Sequence, residues 1–209
     1  MKTKIVVFDF DGVIVDSNYV KRNAWFEIFP ASMELTRDEV EESLDRVKET
    51  RYDILRDIFL KKGIAEEKKL DTLVVQYAEK YDGAIQNGMV LMPSVKEILP
   101  LLARERILYV NSATPTEPLR ESVVRLGISQ HFKDVLGRPA DKAENLHLIL
   151  GREKVTTDEI CMIGDGEDDR QAADIIGCRF IGVQNEFNGW KEGIGFPLIS
   201  NFSMLPSLT

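Results

Sequence analysis

The 209-residue sequence predicts an α/β protein with a doubly wound, mostly parallel sheet, interrupted early by an all-helical insertion. Three observations carry that expectation. The chain opens on a continuous apolar run, Ile5 to Phe8, the pattern of a strand covered by helices on both faces. From Ser94 onward, similar short runs alternate with helical periods, which calls for parallel pairing and right-handed crossovers. Between the two, residues 17–87 repeat their apolar positions at helical spacing without a convincing strand. The expected division is an α/β core of residues 1–16 and 88–209 and a helical domain of residues 17–87.

The first strand ends in charge. Asp9 and Asp11 are two residues apart, so their side chains leave on one face if the strand persists, and Gly12 permits a sharp bend. A lone Asp-Gly would read as a turn. Two acids after four buried residues repel one another, and that calls for a cation or a function. In the insertion, Val20, Ala24, Trp25, Ile28 and Phe29 share a face that Pro30 ends, and Thr36 with Glu39 makes a capping box. Ile54, Leu55, Ile58 and Phe59 carry the period to Gly63, and Leu70, Leu73, Val74, Tyr77 and Tyr81 form a further amphipathic stretch. Residues 82–93, with Gly83, Asn87, Gly88 and Pro93, read as the return linker.

In the core, Ser94 and Glu97 suggest a second capping box, and Pro100 should kink or split the helix that follows. Strands are expected at 107–110, 135–136, 160–163, 179–183 and 197–200. Thr114, Pro115 and Glu117 read as a capped helix start closed by Gly127, residues 142–150 as a helix ended by Gly151, and residues 168–176 as a helix with Gly177 at its end.

Composition excludes several functions. Acidic residues outnumber basic ones 35 to 27 for a net charge of −8, which argues against nucleic acid or anionic lipid and for a small ligand. No apolar run approaches membrane-spanning length, and the first four residues lead into only four apolar ones, so neither a membrane span nor a signal peptide is expected. Cys161 and Cys178 match no zinc-ligand spacing and read as reduced core residues of a cytoplasmic protein.

Four features fall at or just after expected strand ends: Asp9 with Asp11, the run Asn111-Ser112-Ala113-Thr114, Lys142, and the acid-rich run from Asp165 to Asp169. In a parallel sheet those ends share one rim, so the features should converge. Lys142 alone cannot neutralise Asp9, Asp11, Asp165 and Asp169, so a hard divalent cation is expected, and Mg2+ suits carboxylates, water and phosphate oxygens best. A phosphate would also find Ser112 and helix N-terminal amides attractive. Singly, Ser112 or Thr114 is an N-cap and Lys142 a solvated helix residue; their joint order favours a site. Glu167 and Asp168 are read as helix N-terminal charges that suit the dipole.

DFDGV from Asp9, SAT from Ser112, DK at Lys142 and GDGEDD around Asp165 resemble, in order and spacing, the four motifs of the haloacid dehalogenase superfamily. The likeness covers nearly the whole chain, and the helical insert is similar to the first type of cap in that superfamily, as in phosphoglycolate phosphatases and β-phosphoglucomutases. The resemblance implies that Asp9 is the nucleophile and Asp11 the acid and base, with its backbone carbonyl helping to hold Mg2+. It implies that Asp165 is a metal ligand, Asp169 a ligand through water or an anchor for Lys142, and Ser112 with the Ala113 amide the grip on phosphoryl oxygens. Lys142 would neutralise charge beside Asp9. Asp11 points to phosphoryl transfer, because dehalogenases and phosphonatases of the superfamily lack an acid there. The expected activity is a Mg2+-dependent phosphatase acting on a small phosphorylated metabolite. The alternatives are a phosphomutase, against which Lys21 stands where a histidine is implied, and a binding protein on a retired scaffold. Arg51 stands where related caps have a substrate-facing basic residue, and reads equally as a surface arginine.

A receiver-like phosphoacceptor module would not need the helical insertion. A calcium-binding loop from Asp165 fails at Arg170 and Ile176, where glycine and glutamate are required.

Overall fold

The computed structural model describes residues 3–47, 51–64, 67–88 and 90–209, and the side chains of all of these except 18, 21, 67, 82 and 84–88. The chain divides into two compact units, Met1–Asp16 with Val90–Thr209, and Ser17–Met89. Each is described by itself.

The first unit is built on six strands: β1 (Ile5–Phe8), β2 (Ile107–Pro115), β3 (Asp134–Arg138), β4 (Ile160–Gly164), β5 (Arg179–Val183) and β6 (Leu198–Ile199). They lie in the order β3-β2-β1-β4-β5-β6, and every pairing is parallel. All four β1 residues are fully buried because both faces of the sheet are covered. On one face Ile5 and Val7 pack with Leu146 and Ile149 of α7 (Lys142–Glu153) and Ala172 and Ala173 of α8 (Glu167–Ile176). Residues of opposite parity point the other way, where Phe8 stacks on Phe202 at 5.6 Å and meets Phe132 edge-on at 6.2 Å. Each such buried apolar side chain contributes roughly 1.5–3 kcal/mol, so the sheet and its helices fix the rim on which the charged residues stand.

After β1, Gly12 takes the positive φ of 75° that its bend requires. The chain departs and returns side by side: Met92 N donates to Ile14 O and Asp16 N to Val90 O, both at 2.9 Å. The segment read as a return linker behaves differently up to residue 88, because the helix before it does not stop. That helix, α4, spans Glu67–Gly88 and runs through Gly83, whose cost of about 1 kcal/mol in a helix interior is outweighed by the packing of Leu70, Leu73 and Tyr77.

The second unit contains α1 (Asn18–Glu27), α2 (Arg37–Arg46), α3 (Arg51–Lys62) and α4. Its core gathers Ala24, Trp25, Ile28, Val40, Leu55, Ile58, Phe59, Leu70, Leu73 and Tyr77, the positions the helical period marks, with Trp25 4.4 Å from Tyr77. The capping box at α2 is present: Thr36 N donates to Glu39 Oε2 at 2.8 Å and Glu39 N to Thr36 Oγ1 at 3.3 Å. Among the described residues no helix is long and apolar enough to cross a membrane.

Four local expectations are corrected. Ser94 precedes α5 (Val95–Leu102) in a left-handed conformation, φ 65°, with no cap bond from its side chain. Pro100 does not split α5; the bond it forgoes would go to the carbonyl of Lys96, an exposed residue that water can reach. Thr114 does not cap α6 (Thr116–Arg125), because β2 carries on to Pro115 and keeps Thr114 extended. Helix α7 likewise passes Gly151 and ends at Lys154, φ 54°.

Candidate active site

The strand order reverses between β1 and β4, and in an open parallel sheet that is where a crevice forms beyond the strand ends. Asp9 follows β1 there and Asp165 follows β4. Lys142 arrives from the next layer as the first residue of α7, placed by a capping box in which Asp141 and Glu144 exchange two bonds of 2.8 Å. Two buried asparagines fasten that first turn to β2: Asn111 Nδ2 donates to Lys142 O at 2.9 Å, and Asn145 Nδ2 to Asn111 Oδ1 at 3.0 Å.

The Lys142 ammonium is the hub. Although only 8% of its side chain is exposed, it lies 3.0 Å from Asp9 Oδ2, 2.6 Å from Asp169 Oδ1 and 2.7 Å from Asp168 Oδ2. Burial alone would lower its pKa, but the charges of Asp9, Asp169 and Asp168 prevail and hold it above the ordinary lysine value. Asp169 is wholly buried, and burial followed by the charge of Asp9 pushes its carboxyl well above the usual range. Burial also raises Asp9, and Asp11 adds to the rise, although Lys142 and the Phe10 amide pull the other way. Gly164 makes this packing possible, since a Cβ there would overlap Asp169 Cβ and Cγ.

Asp168 is therefore more than a dipole charge at the start of α8: it is the third carboxylate on Lys142. Thr114, kept in the strand, donates from Oγ1 to Asp11 Oδ2 at 3.4 Å, and its amide donates to Ser112 Oγ at 3.2 Å. Ser112, Ala113 and Lys142 line one cavity with Arg138. The rim thus brings together Asp9, Asp11, Ser112, Ala113, Lys142, Asp165 and Asp169. Arg51 belongs to the helical unit, where its guanidinium lies 4.7 Å from the centroid of the Tyr77 ring. The Lys21 side chain lies outside the described residues.

Asp9, Asp165 and Asp169 each offer an oxygen within 4.8 Å of the others. Three carboxylates so close, with Asp9 and Asp169 both raised in pKa chiefly by burial and Asp169 further by the charge of Asp9, fit a hard cation that accepts only oxygen ligands. The fit for Mg2+ is good, because Lys142 supplies one positive charge against Asp9, Asp168 and Asp169 together.

One part of the site has no counterpart in the motif reading. Asn185 Nδ2 donates to Asp165 Oδ2 at 2.9 Å, while Asn188 Nδ2 donates to Asp165 O at 3.1 Å and Val183 O at 2.8 Å. Asn188 Oδ1 in turn accepts from Trp190 N at 3.2 Å, and the Trp190 ring packs edge-on against Phe180 and Phe196. The only signal in the sequence is an asparagine-rich loop ending in tryptophan directly after a strand. Asn185 holds one oxygen of Asp165, a member of the carboxylate cluster that suits a cation, so on the Mg2+ reading Asn185→Ala should weaken Mg2+ binding roughly 10- to 100-fold, read by calorimetric titration of the metal. An unchanged Mg2+ affinity would show that Asp165 is oriented without Asn185.

Residues 3–177 match the family model of haloacid dehalogenase-like hydrolases. The chain belongs to that family. A phosphoglycolate phosphatase from Yersinia pestis is 28% identical over 202 residues, covering 88% of this chain and 82% of the relative. Another, from Pectobacterium atrosepticum, is 30% identical over 118 residues, so the match spans 52% of this chain and about half, 49%, of that protein. A solved haloacid dehalogenase-like protein from Agrobacterium tumefaciens shares the fold at a TM-score of 0.82 and 17% identity, over 99% of this chain and 97% of that one. As a haloacid dehalogenase-like hydrolase the chain is an enzyme, and its matched stretch takes in every rim carboxylate together with Ser112 and Lys142. Asn185 and Asn188 lie beyond it, which is why motif comparison passes over them.

Proposed function

We propose that this hydrolase is a Mg2+-dependent phosphatase that removes phosphate from a small monoester, a sugar phosphate or a phosphoglycolate-like metabolite. The observation that carries the reading is the buried Lys142 ammonium shared by Asp9 and Asp169 beside Asp165. Its charge opposes the rise that burial imposes on the Asp9 carboxyl and so favours the ionised form of a nucleophile at the strand tip. A solvated surface lysine would not be held this way.

An oxygen of Asp9 attacks phosphorus, forming the aspartyl-phosphate as the bond to the leaving oxygen breaks and Asp11 gives that oxygen a proton. Asp11 then takes a proton from water, whose oxygen bonds to phosphorus and releases Asp9 and orthophosphate. Ser112 Oγ and the Ala113 amide hold the phosphoryl oxygens, and Lys142 offsets the charge that opposes attack. Mg2+, held by Asp9, Asp165, the Asp11 carbonyl and Asp169 directly or through water, would supply further neutralisation of the phosphoryl group.

Selection of the rest of the substrate is assigned to the helical cap, residues 17–87, and to Arg51 within it. The guanidinium, 4.7 Å from the Tyr77 ring centroid, is assigned the binding of a carboxylate or second phosphate, and the phosphoglycolate phosphatases among the relatives support a substrate of that kind. A cytoplasmic setting is supported by two free cysteines, Cys161 and Cys178, whose thiols burial pushes up to about 12 and about 11.

The test is orthophosphate release across a panel of phosphorylated metabolites with Mg2+; turnover of none would sink the reading. Within the panel, Asp11→Asn should cost about 10²- to 10⁴-fold for esters with poor leaving groups and markedly less for para-nitrophenyl phosphate. Equal losses for both would remove Asp11 from acid catalysis.

A further inference from the structure

The strands β2 and β3 pair at Asn111 with Leu136 and again at Pro115 with Arg138, so Ser112, Ala113 and Thr114 stand opposite Gly137 alone. Carbonyls in such a bulge lose their ladder partners and must find others. The end of β3 supplies one of them and is itself fastened. Gly137 N donates to Thr116 Oγ1 at 3.1 Å, and Thr116 Oγ1 donates to Arg138 O at 3.1 Å. The two strands approach so closely that a Cβ on Gly137 would overlap Thr114 O. With its backbone held, Arg138 sends Nε 3.1 Å to the carbonyl of Ala113. That carbonyl shares its peptide group with Thr114 N, which donates to Ser112 Oγ at 3.2 Å.

We propose that Arg138 is a positioning residue that acts through the Ala113–Thr114 peptide to hold the Ser112 hydroxyl as a donor toward the phosphoryl group. This rests on the phosphatase reading. The charged donor polarises the peptide, the peptide N–H occupies one lone pair of Ser112 Oγ, and the hydroxyl proton then has no acceptor among the described residues. Ser112 is buried, 2% exposed, so its orientation depends on this chain of bonds rather than on water.

The chemistry of the Nε position gives a discriminating pair of variants. Glutamine carries an amide nitrogen where arginine has Nε but no charge, whereas methionine fills the same length with no donor. Arg138→Met should lower kcat/KM for a turned-over monoester and the affinity for orthophosphate by about 10- to 30-fold, as for loss of a charge-assisted bond. Arg138→Gln, which keeps the hydrogen bond and loses only its charge assistance, should cost less, about 3- to 5-fold. In a Ser112→Ala background Arg138→Met should cost almost nothing further, because its effect runs through the hydroxyl. Both readouts are taken on the Mg2+-loaded protein. Multiplying losses in the double variant, or Arg138→Gln as damaging as Arg138→Met, would overturn the relay while turnover by the parent left the phosphatase reading intact. A parent that turns over no monoester but binds orthophosphate would sink the phosphatase reading alone, the same comparison then being made on binding. A parent that does neither would sink both.

Discussion

Asp9→Asn is expected to stop orthophosphate release, with a loss of at least about 10³-fold, and to leave the protein folded with a thermal midpoint within about 5 °C of the parent. The loss follows because an amide cannot form the aspartyl-phosphate. The tolerance follows from the charges. Lys142 keeps Asp169 at 2.6 Å and Asp168 at 2.7 Å, so removal of one carboxylate does not strand the ammonium. The Asn oxygen can satisfy either Phe10 N, 2.7 Å from Asp9 Oδ1, or Lys142, but not both, which costs about 0.5–1.5 kcal/mol. Against that stands relief of the repulsion that Asp9 exerts on buried Asp169. Phosphate release and a melting curve on one purified sample check both halves. Activity near the parent's would remove Asp9 as the nucleophile, and a collapse of the midpoint would show that its charge holds the fold.

The parts of this molecule that were legible in the sequence are those set by local chemistry and burial. The apolar run at Ile5–Phe8, the acids behind it and the bend at Gly12 each state their role within a few residues. The convergence of Asp9, Lys142 and Asp165 follows from parallel pairing alone, since all strand ends then meet one rim. What escaped depends on contacts between distant segments. Nothing near Thr114 shows that β2 will outrun its apolar stretch, because the extension is held by Gly137 and Thr116 across the sheet. Asn185 and Asn188 look like turn residues until Asp165, twenty positions earlier in the case of Asn185, is seen to be their acceptor. Asp168 and Asp169 are adjacent on α8, and helical geometry sends them in different directions. Even so, the ammonium of Lys142 is long enough to take both. The failure at Gly83 has another character: an intrinsic penalty of about 1 kcal/mol for glycine is a local signal that packing outside the window overrides.

Lys142→Met should be the most damaging single change to stability in the core, and Mg2+ should repair part of it. The side chain is replaced by one of similar length without charge, so the cavity is filled and the effect isolates the ammonium. Asp169, fully buried, and Asp9, nearly so, would then face each other with no cation between them. Breaking a buried pair by removing one partner costs about 3–5 kcal/mol, and here one ammonium serves two buried carboxylates, so the upper part of that range is expected in urea denaturation with chelator present. On the proposed reading Mg2+ binds the same carboxylates in the folded state only, so adding it should raise the midpoint of the variant more than that of the parent. Activity should remain down by about 10²-fold or more even with metal, because the charge beside Asp9, the proposed nucleophile, is not restored. Lys142→Arg should not rescue it, since a planar fork cannot reproduce a point charge shared among Asp9, Asp168 and Asp169 in a site where only 8% of the lysine side chain is exposed. A variant as stable as the parent in chelator would mean that the two buried acids share a proton rather than rely on Lys142. An equal response of variant and parent to Mg2+ would mean that the cation does not sit on those carboxylates.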